Sequence, residues 1–371
     1  MNNSFLCIES QILCILLAAI LLTFNMRSIN KGAEYIIKII RLTLFTSAVD
    51  ILRVVFDGNA VLVHIFSIAF FASVGFIGYL WLRYCGAQFG IENKLFSWLG
   101  LLPAVTVAAL TVFSVETGWV YSVKRDGVFC RGNLYYVLLF NLLYVVIAFI
   151  SACYAAKKAD SKREGRDFMI TAYCGAPVIL SAVLLLLNPD GLTTVTYTVL
   201  LSIIIIYNNA QHKQMITDNL TKLQNRYGMD DEIEEQIQQY KKDKNDSFYV
   251  IVCDMDNFKT INDTWGHLEG DRALMLIAYA LTKAAHKHNS EVFRIGGDEF
   301  VIITDKSDSG LGDKVCRSVE KEIDNIDFRD DFTLHMSMGV SLYNGTGTIS
   351  ELINGADKKL YQAKKKKKVG R

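Results

Sequence analysis

The sequence predicts an α-helical membrane bundle of about seven transmembrane helices over residues 1–207. A helical connector (208–220) and a cytosolic α/β domain with a central mixed sheet (221–371) follow. Three observations lead there. Apolar runs of about 20 residues, the length that crosses a bilayer, recur through the first part. All three prolines (Pro103, Pro177, Pro189) lie there, while most of the charge lies in the last 164 residues. In those residues, short apolar runs of strand length alternate with segments of helical period, as in an α/β domain.

Seven spans are expected, at 6–24, 35–56, 59–82, 96–115, 134–156, 168–188 and 192–207. The first lacks a basic leader and a small-residue cleavage site, so it is expected to be a retained helix. Loops 25–34, 83–95 and 157–167 hold nine Lys and Arg, against three (Lys124, Arg125, Arg131) in the alternate set. The positive-inside rule then puts the N-terminus outside and residue 208 in the cytoplasm. Within the second span, Lys38 and Arg41 lie near the inner end and can snorkel. Asp50 and Arg53 are three residues apart on one helical face, as a packing ion pair or as a functional site facing the bundle interior. His64 is read as a pH sensor or as a satisfied polar contact. Residues 208–220 contain no Gly or Pro, so a stiff helix is expected to run out of the bundle. The eight cysteines form no Cys-x-x-Cys pair, which argues against a disulfide framework or zinc site. A net charge of +1 says little about partners.

In the second part, Ser247–Cys253 reads as a buried strand. Leu274, Ile277, Ala278 and Leu281 mark a helix over 271–286. Val292–Ile295 and Phe300–Ile303 flank a Gly-Gly turn as a hairpin, and 332–342 alternates as another strand. Thr348-x-x-Glu351 is a capping box opening a helix with Ile349, Leu352, Ile353, Ala356, Leu360 and Ala363 on one face. The order is β-α-β-β-α-β-α.

The chemistry concentrates at two strand ends. Asp254 follows the first strand, and Asp298 follows Gly296-Gly297 in Arg294-Ile-Gly-Gly-Asp-Glu-Phe300. If the strands are neighbours, both carboxylates leave the same sheet edge. Paired hard oxygen ligands suit Mg2+, which keeps waters and takes substrate phosphates. Two such ions per active site, with Mn2+ as a substitute, would support in-line displacement at phosphorus. The glycines suit a type I′ turn and close backbone approach by a nucleotide. A bare Gly-Gly-Asp is equally an ordinary solvent-facing hairpin tip.

The wider set is more specific. It comprises Asp218-x-Leu-Thr-x-Leu-x-Asn-Arg226, Asp254-x-Asp-x-Phe-Lys-x-x-Asn-Asp-x-x-Gly-His-x-x-Gly-Asp271, Arg294-x-Gly-Gly-Asp-Glu-Phe300 and Ala356-Asp-x-x-Leu-Tyr-x-Ala-Lys364. With these motifs in order, Asp218 to Arg371 resembles the GGDEF family, the diguanylate cyclases. The resemblance implies a palm or adenylyl-cyclase-like domain that condenses two GTP into cyclic di-GMP as an obligate homodimer. By the same resemblance Asp254, the Met255 carbonyl and Asp298 hold metal, Asn262 and Asp271 read guanine, and Phe258 walls the pocket. Lys259 and Lys364 meet phosphate, and Glu299 assists the metal or deprotonates the attacking hydroxyl. The Asp at 271 favours GTP alone, since relatives making mixed cyclic GMP-AMP carry Ser there. His267 is given no chemical role.

Two departures stand out. Where the family ends with Gly and Arg after Ala-Lys, this chain has Lys367 and Lys368. Lysine meets phosphate only as a point charge, so weaker GTP binding is expected. The run Lys364–Lys368 is otherwise a solvated tail or a contact to anionic lipid, with nucleic acid remote as a partner. A product-inhibition motif, Arg-x-x-Asp in relatives, is Lys287 and Ser290 here, so no product inhibition is expected at that site. The first part loosely resembles seven-helix sensory modules, on span number and Arg131-Gly-Asn-Leu-Tyr135. A bacterial plasma-membrane enzyme with a lipid-embedded sensor of an unknown signal is implied. A catalytically silent receptor for GTP or cyclic di-GMP is the alternative, and a transporter finds no inverted repeat in its favour.

Overall fold

The computed structural model describes residues 3–24, 32–91, 94–159, 162–187, 194–242, 247–304, 310–329 and 331–369. The chain forms two compact units, Met1–Gln211 and His212–Arg371.

The first unit is helical: α1 (Asn3–Thr23), α2 (Ala33–Val55), α3 (Ala60–Phe89), α4 (Lys94–Thr117), α5 (Asn141–Lys158), α6 (Lys162–Tyr173), α7 (Ala176–Leu187) and α8 (Val195–Met215). A small hairpin, β1 (Tyr121–Val123) with β2 (Phe129–Arg131), follows α4. Among the described residues, five segments are long and apolar enough to cross a membrane: Phe5–Thr23, Ala60–Phe89, Phe96–Thr117, Tyr135–Lys158 and Gly165–Leu184. The other two expected spans form helices, α2 and α8, but α2 carries five charged residues and the last turns of α8 are polar. Large apolar side chains such as Leu16, Trp98, Phe113 and Ile150 stay exposed on the unit. Apolar surface on this scale marks contact with lipid or another apolar partner.

The third helix outruns its expected end at residue 82. Nothing breaks it before Gly90, which takes φ 66°. Arg83, expected in a loop, therefore sits in α3 and donates to the Tyr35 and Tyr79 hydroxyls at 2.7 and 3.2 Å. The Asp50–Arg53 pair forms, with Arg53 Nε and Nη2 donating to Asp50 Oδ1 at 3.0 and 2.7 Å. Asp50 is fully buried, and its Oδ2 accepts from Gln11 Nε2 at 3.0 Å. Arg53 also lies 4.4 Å from the Phe129 ring. The pair thus ties α1, α2 and the hairpin together, consistent with a packing role. His64 Nδ1 lies 3.3 Å from the Tyr121 hydroxyl.

The second unit is α9 (Arg226–Lys242), β3 (Phe248–Met255), α10 (Phe258–Trp265), α11 (His267–His286), β4 (Ser290–Gly296), β5 (Glu299–Thr304), α12 (Leu311–Asp324), β6 (Met336–Tyr343) and α13 (Ile349–Val369). The sheet order is β4-β5-β3-β6, and each of these pairings is antiparallel. Its mixed character comes from one parallel bridge, Gln224 to Phe293, at the β4 edge.

Strand period two decides the layers. Ile251, Cys253 and Met255 of β3, with Phe300 and Ile302 of β5, pack against α11 and α12. Val250 and Val252, with Val301 and Ile303, pack against α9 and α13. Gly339 lets α13 come down on the sheet, since a Cβ there would collide with the Ala356 carbonyl oxygen and the Leu360 nitrogen. The capping box forms: Thr348 N–H donates to Glu351 Oε2 at 2.8 Å, and Glu351 N–H to Thr348 Oγ1 at 3.2 Å.

Two expected elements are shorter than the sequence suggests. The connector helix over 208–220 stops at Met215. Asn225 Nδ2 takes the Met215 carbonyl at 2.7 Å, and the Asp218 carboxylate accepts from Thr221 N–H at 2.8 Å, so local side-chain bonds replace the next helical turn. The strand expected over 332–342 begins only at Met336. Phe332 instead turns back, its N–H donating to Arg329 O, and stacks edge-on to Trp265 at 5.1 Å.

Candidate active site

The parity that layers the sheet also places the acids. Asp254 shares the face of Val250 and Val252, and Glu299 that of Val301 and Ile303, so both face α13. They are direct partners in the β3–β5 register. Asp298 occupies the adjoining turn, where its carbonyl accepts from Met255 N–H at 3.2 Å. The Met255 side chain is buried in the core, which leaves its backbone at the strand end.

The turn differs from the expected type I′, which needs positive φ at both central residues. Gly297 has φ 50°, but Asp298 does not take positive φ, and a bulge lies between Arg294 and Gly296. No atom lies within 4 Å of a Cβ built on Gly296 or Gly297, so the backbone there is open to an approaching ligand. Arg294 locks the turn: Nε and Nη2 donate to Gly297 O at 3.0 and 2.8 Å, and Nη1 to Asp218 Oδ1 at 2.9 Å. Burial alone would raise the Asp218 pKa, but the Thr221 N–H and hydroxyl, with Arg294, bring it below the usual carboxylate value.

A second cluster forms where α10 meets α11. Phe258 packs on the core from the first turn of α10, beside exposed Lys259. The Asn262 side chain lies against Gly270, where any Cβ would strike its Oδ1. Asp271 follows at once on α11, half-buried. Gly270 is therefore what lets Asn262 pack against the first turn of α11.

The third contribution is α13. Leu360 is buried on the sheet, and Asp357, Lys364 and Lys367 follow its helical stripe at intervals of three, four and three residues. Lys364 Nζ contacts Asp254 Oδ1 at 2.5 Å. Lys367 Nζ donates to Asp256 Oδ2 at 2.8 Å and to Met336 O at 2.7 Å. Lys365 lies outward, 4.6 Å from the Tyr361 ring. The lysine run is thus split, with Lys364 and the half-exposed Lys367 on acids and Lys365 on Tyr361, rather than a uniform solvated tail. The Lys368 side chain lies outside the described residues. The inward contacts of Lys367 and the approach of Asp357 to Glu299 went unread in the sequence, although the helical stripe was there to find them.

Burial raises the Asp254 pKa, with Asp298 and Asp256 adding to it against the pull of Lys364. Burial likewise raises Glu299, with Asp254, Asp357 and Asp298 adding to it. Such crowding of carboxylates is what a bound cation relieves. Among the described residues no cluster of three or more His, Cys, Asp or Glu forms a cage. A pair of carboxylates and a carbonyl is nonetheless a fitting donor set for a hard divalent ion that completes its shell with water and phosphate.

Residues 215–369 match the family model described as diguanylate cyclase, GGDEF domain. The second unit belongs to the GGDEF family. Over 152 residues the chain is 36% identical to the bifunctional diguanylate cyclase/cyclic di-GMP phosphodiesterase MucR of Pseudomonas aeruginosa, covering 40% of this chain and 22% of that one. Over 165 residues it is 28% identical to diguanylate cyclase DosC of Escherichia coli K12, covering 43% and 35%. The solved coiled coil and GGDEF domain of DgcB from Caulobacter crescentus, in complex with c-di-GMP, is 24% identical with a TM-score of 0.40, covering 43% and 85%. The chain spans 22% to 35% of the length of these two curated relatives.

Proposed function

We propose that the chain is a membrane-bound diguanylate cyclase, condensing two GTP into cyclic di-GMP and two pyrophosphates. The observation that carries this is the registered pair Asp254–Glu299, with Asp298 on the adjoining turn and Lys364 on Asp254. Every acid of the signature is retained at an edge open to a ligand.

Asn262 and Asp271 hold guanine, the Asp carboxylate accepting from N1–H and the exocyclic amine, a donor pair adenine lacks. Phe258 walls the base. Gly296 and Gly297 leave room for the nucleotide, and Lys364 with Lys259 and Lys368 meets the triphosphate. Asp254, the Met255 carbonyl and Asp298 would hold Mg2+, or Mn2+, which neutralises charge developing on the phosphates. Each 3′-hydroxyl attacks the α-phosphorus of the nucleotide on the facing domain. Two P–O bonds form and two break, and pyrophosphate leaves twice. Glu299 takes the hydroxyl proton or steadies the ion. Most of the acceleration is positioning and electrostatics. One half-site per chain makes a homodimer necessary.

The positive-inside count and the apolar surface support a multi-pass bundle, with the N-terminus outside and the GGDEF domain in the bacterial cytoplasm. Seven crossings would count α2 and α8, with Asp50 and Arg53 of α2 inside the bundle and its exposed Lys38 and Arg41 snorkelling at the inner end. Residues 1–207 would then set how often two catalytic domains meet, in response to a signal.

Full-length chain in lipid nanodiscs, given GTP and Mg2+, should yield cyclic di-GMP by mass spectrometry, and Asp298→Ala should yield none. Tight GTP binding by the intact chain without product, at a density where dimers form, would establish the silent receptor instead.

A further inference from the structure

We infer that Lys367 is a positioning residue that fixes the end of α13, and with it the ammonium of Lys364, at the nucleotide site. Three observations lead to it. Lys367 sits two residues before the end of α13, where terminal turns fray most readily. Its ammonium nonetheless meets two acceptors, Asp256 Oδ2 at 2.8 Å and Met336 O at 2.7 Å. Charge-assisted bonds of this kind are roughly twice as strong as neutral ones. The acceptors are themselves fixed. Asp256 Oδ1 accepts from Ser337 Oγ at 2.7 Å, and Asp256 N–H donates to His335 O at 2.9 Å, so the loop after β3 is pinned to the start of β6. Lys367 thus ties the helix end to a rigid corner of the sheet.

Lys364 lies one turn back on the same face, on Asp254. Asp254 and Asp256 are two residues apart, and Lys364 and Lys367 three, so the two ion pairs form adjacent rungs between the end of β3 and α13. Upstream, α13 is already seated on β6 at Gly339. The stretch from Leu360 to Val369 is what the rungs must hold. Lys367 stands where the GGDEF pattern has glycine, so no role passes to it from the family. Its effect would run through Lys364 and therefore through the hold on the triphosphate. This rests on the phosphate role proposed above for Lys364.

The test uses full-length chain in nanodiscs and four variants: Lys367→Met, Lys367→Arg, Lys364→Met and the Lys364→Met/Lys367→Met double. Lys367→Met should weaken GTP, seen as KM and as the Kd of a non-hydrolysable analogue, about five-fold or more with kcat changed less than about two-fold. Lys367→Arg should restore most of that. In the Lys364→Met background, Lys367→Met should add little, since the effect passes through Lys364. Amide hydrogen exchange over 361–369, read without nucleotide, should quicken in Lys367→Met and stay slow in Lys367→Arg. Unchanged affinity in Lys367→Met, an equal loss in both backgrounds, or unchanged exchange would overturn the assignment. Absence of cyclic product from the unmodified chain would instead strike the proposed activity. The exchange and analogue-binding results would still decide the role of Lys367.

Discussion

At the residue scale, the GGDEF domain separates acids that work as a crowded group from acids that are neutralised singly. Asp254 and Glu299 belong to the first kind, both pushed upward by burial and by their neighbours. Glu322 belongs to the second. It bridges Lys283 at 2.7 Å and Lys287 at 2.6 Å, and these bonds hold its carboxyl down at about 2. Lys287, at the position of the relatives' product-inhibition arginine, is thereby occupied by an internal acid. The linkage sign follows from the depressed value. Glu322 adds stability that is present above its ordinary pKa of 4.5 and is lost as pH falls toward about 2, because the unfolded chain takes up the proton first. The melting temperature of the domain should therefore fall less steeply in Glu322→Gln than in wild type between pH 5 and pH 3 (~2 units of acidification). Parallel slopes in scanning calorimetry would refute the bridge as a stabilising pair.

At the scale of elements, the sheet and its seating of α13 decide where chemistry is possible. Gly339 is the critical contact, because the backbone of α13 occupies the place of any side chain there. Gly339→Ala must lift α13 or shift β6, at a cost of about 1–3 kcal/mol, and must pull Lys364 off Asp254. Chemical denaturation should show the lost stability, and nucleotide affinity should fall with it. A variant as stable as wild type, with GTP binding intact, would show the packing to be looser than described. This architecture was largely legible in the sequence. The apolar runs marked β3 and β5 as strands that end in acids, and Thr348 and Glu351 announced the α13 start, while the register that pairs Asp254 with Glu299 came only with the fold. What escaped was set by contacts that no local pattern carries. The hairpin departs from type I′ because a bulge at Arg294 shifts its register. The connector helix ends at Met215 because Asp218 and Asn225 bond their own neighbourhood. Lys367 looked like one lysine among five until the fold brought Asp256 beneath it.

At the scale of the whole molecule, two kinds of charge cluster coexist in one chain. In the first unit, the buried Asp50–Arg53 pair joins α1, α2 and the β1–β2 hairpin, and its geometry is that of a packing element. In the second, crowded acids sit at an open edge. The first unit confines the chain, on the proposed reading, to a membrane plane, where meeting is a matter of surface density. On the same reading the second holds one nucleotide per copy, and each 3′-hydroxyl meets an α-phosphorus on the facing copy. Turnover per chain should then depend on how many chains share a bilayer. In liposomes of fixed total protein, diluting the chain with lipid about ten-fold should lower cyclic di-GMP made per chain in near proportion while dimers are scarce, because paired molecules scale with the square of density. Asp298→Ala added to the same vesicles should suppress the wild type beyond simple dilution, since each mixed pair lacks one working half. Turnover per chain that stays constant across the dilution, with no suppression by the variant, would mean either preformed dimers that never exchange or a complete site on each chain. Crosslinking at the lowest density separates these, since only the first leaves dimers to be caught.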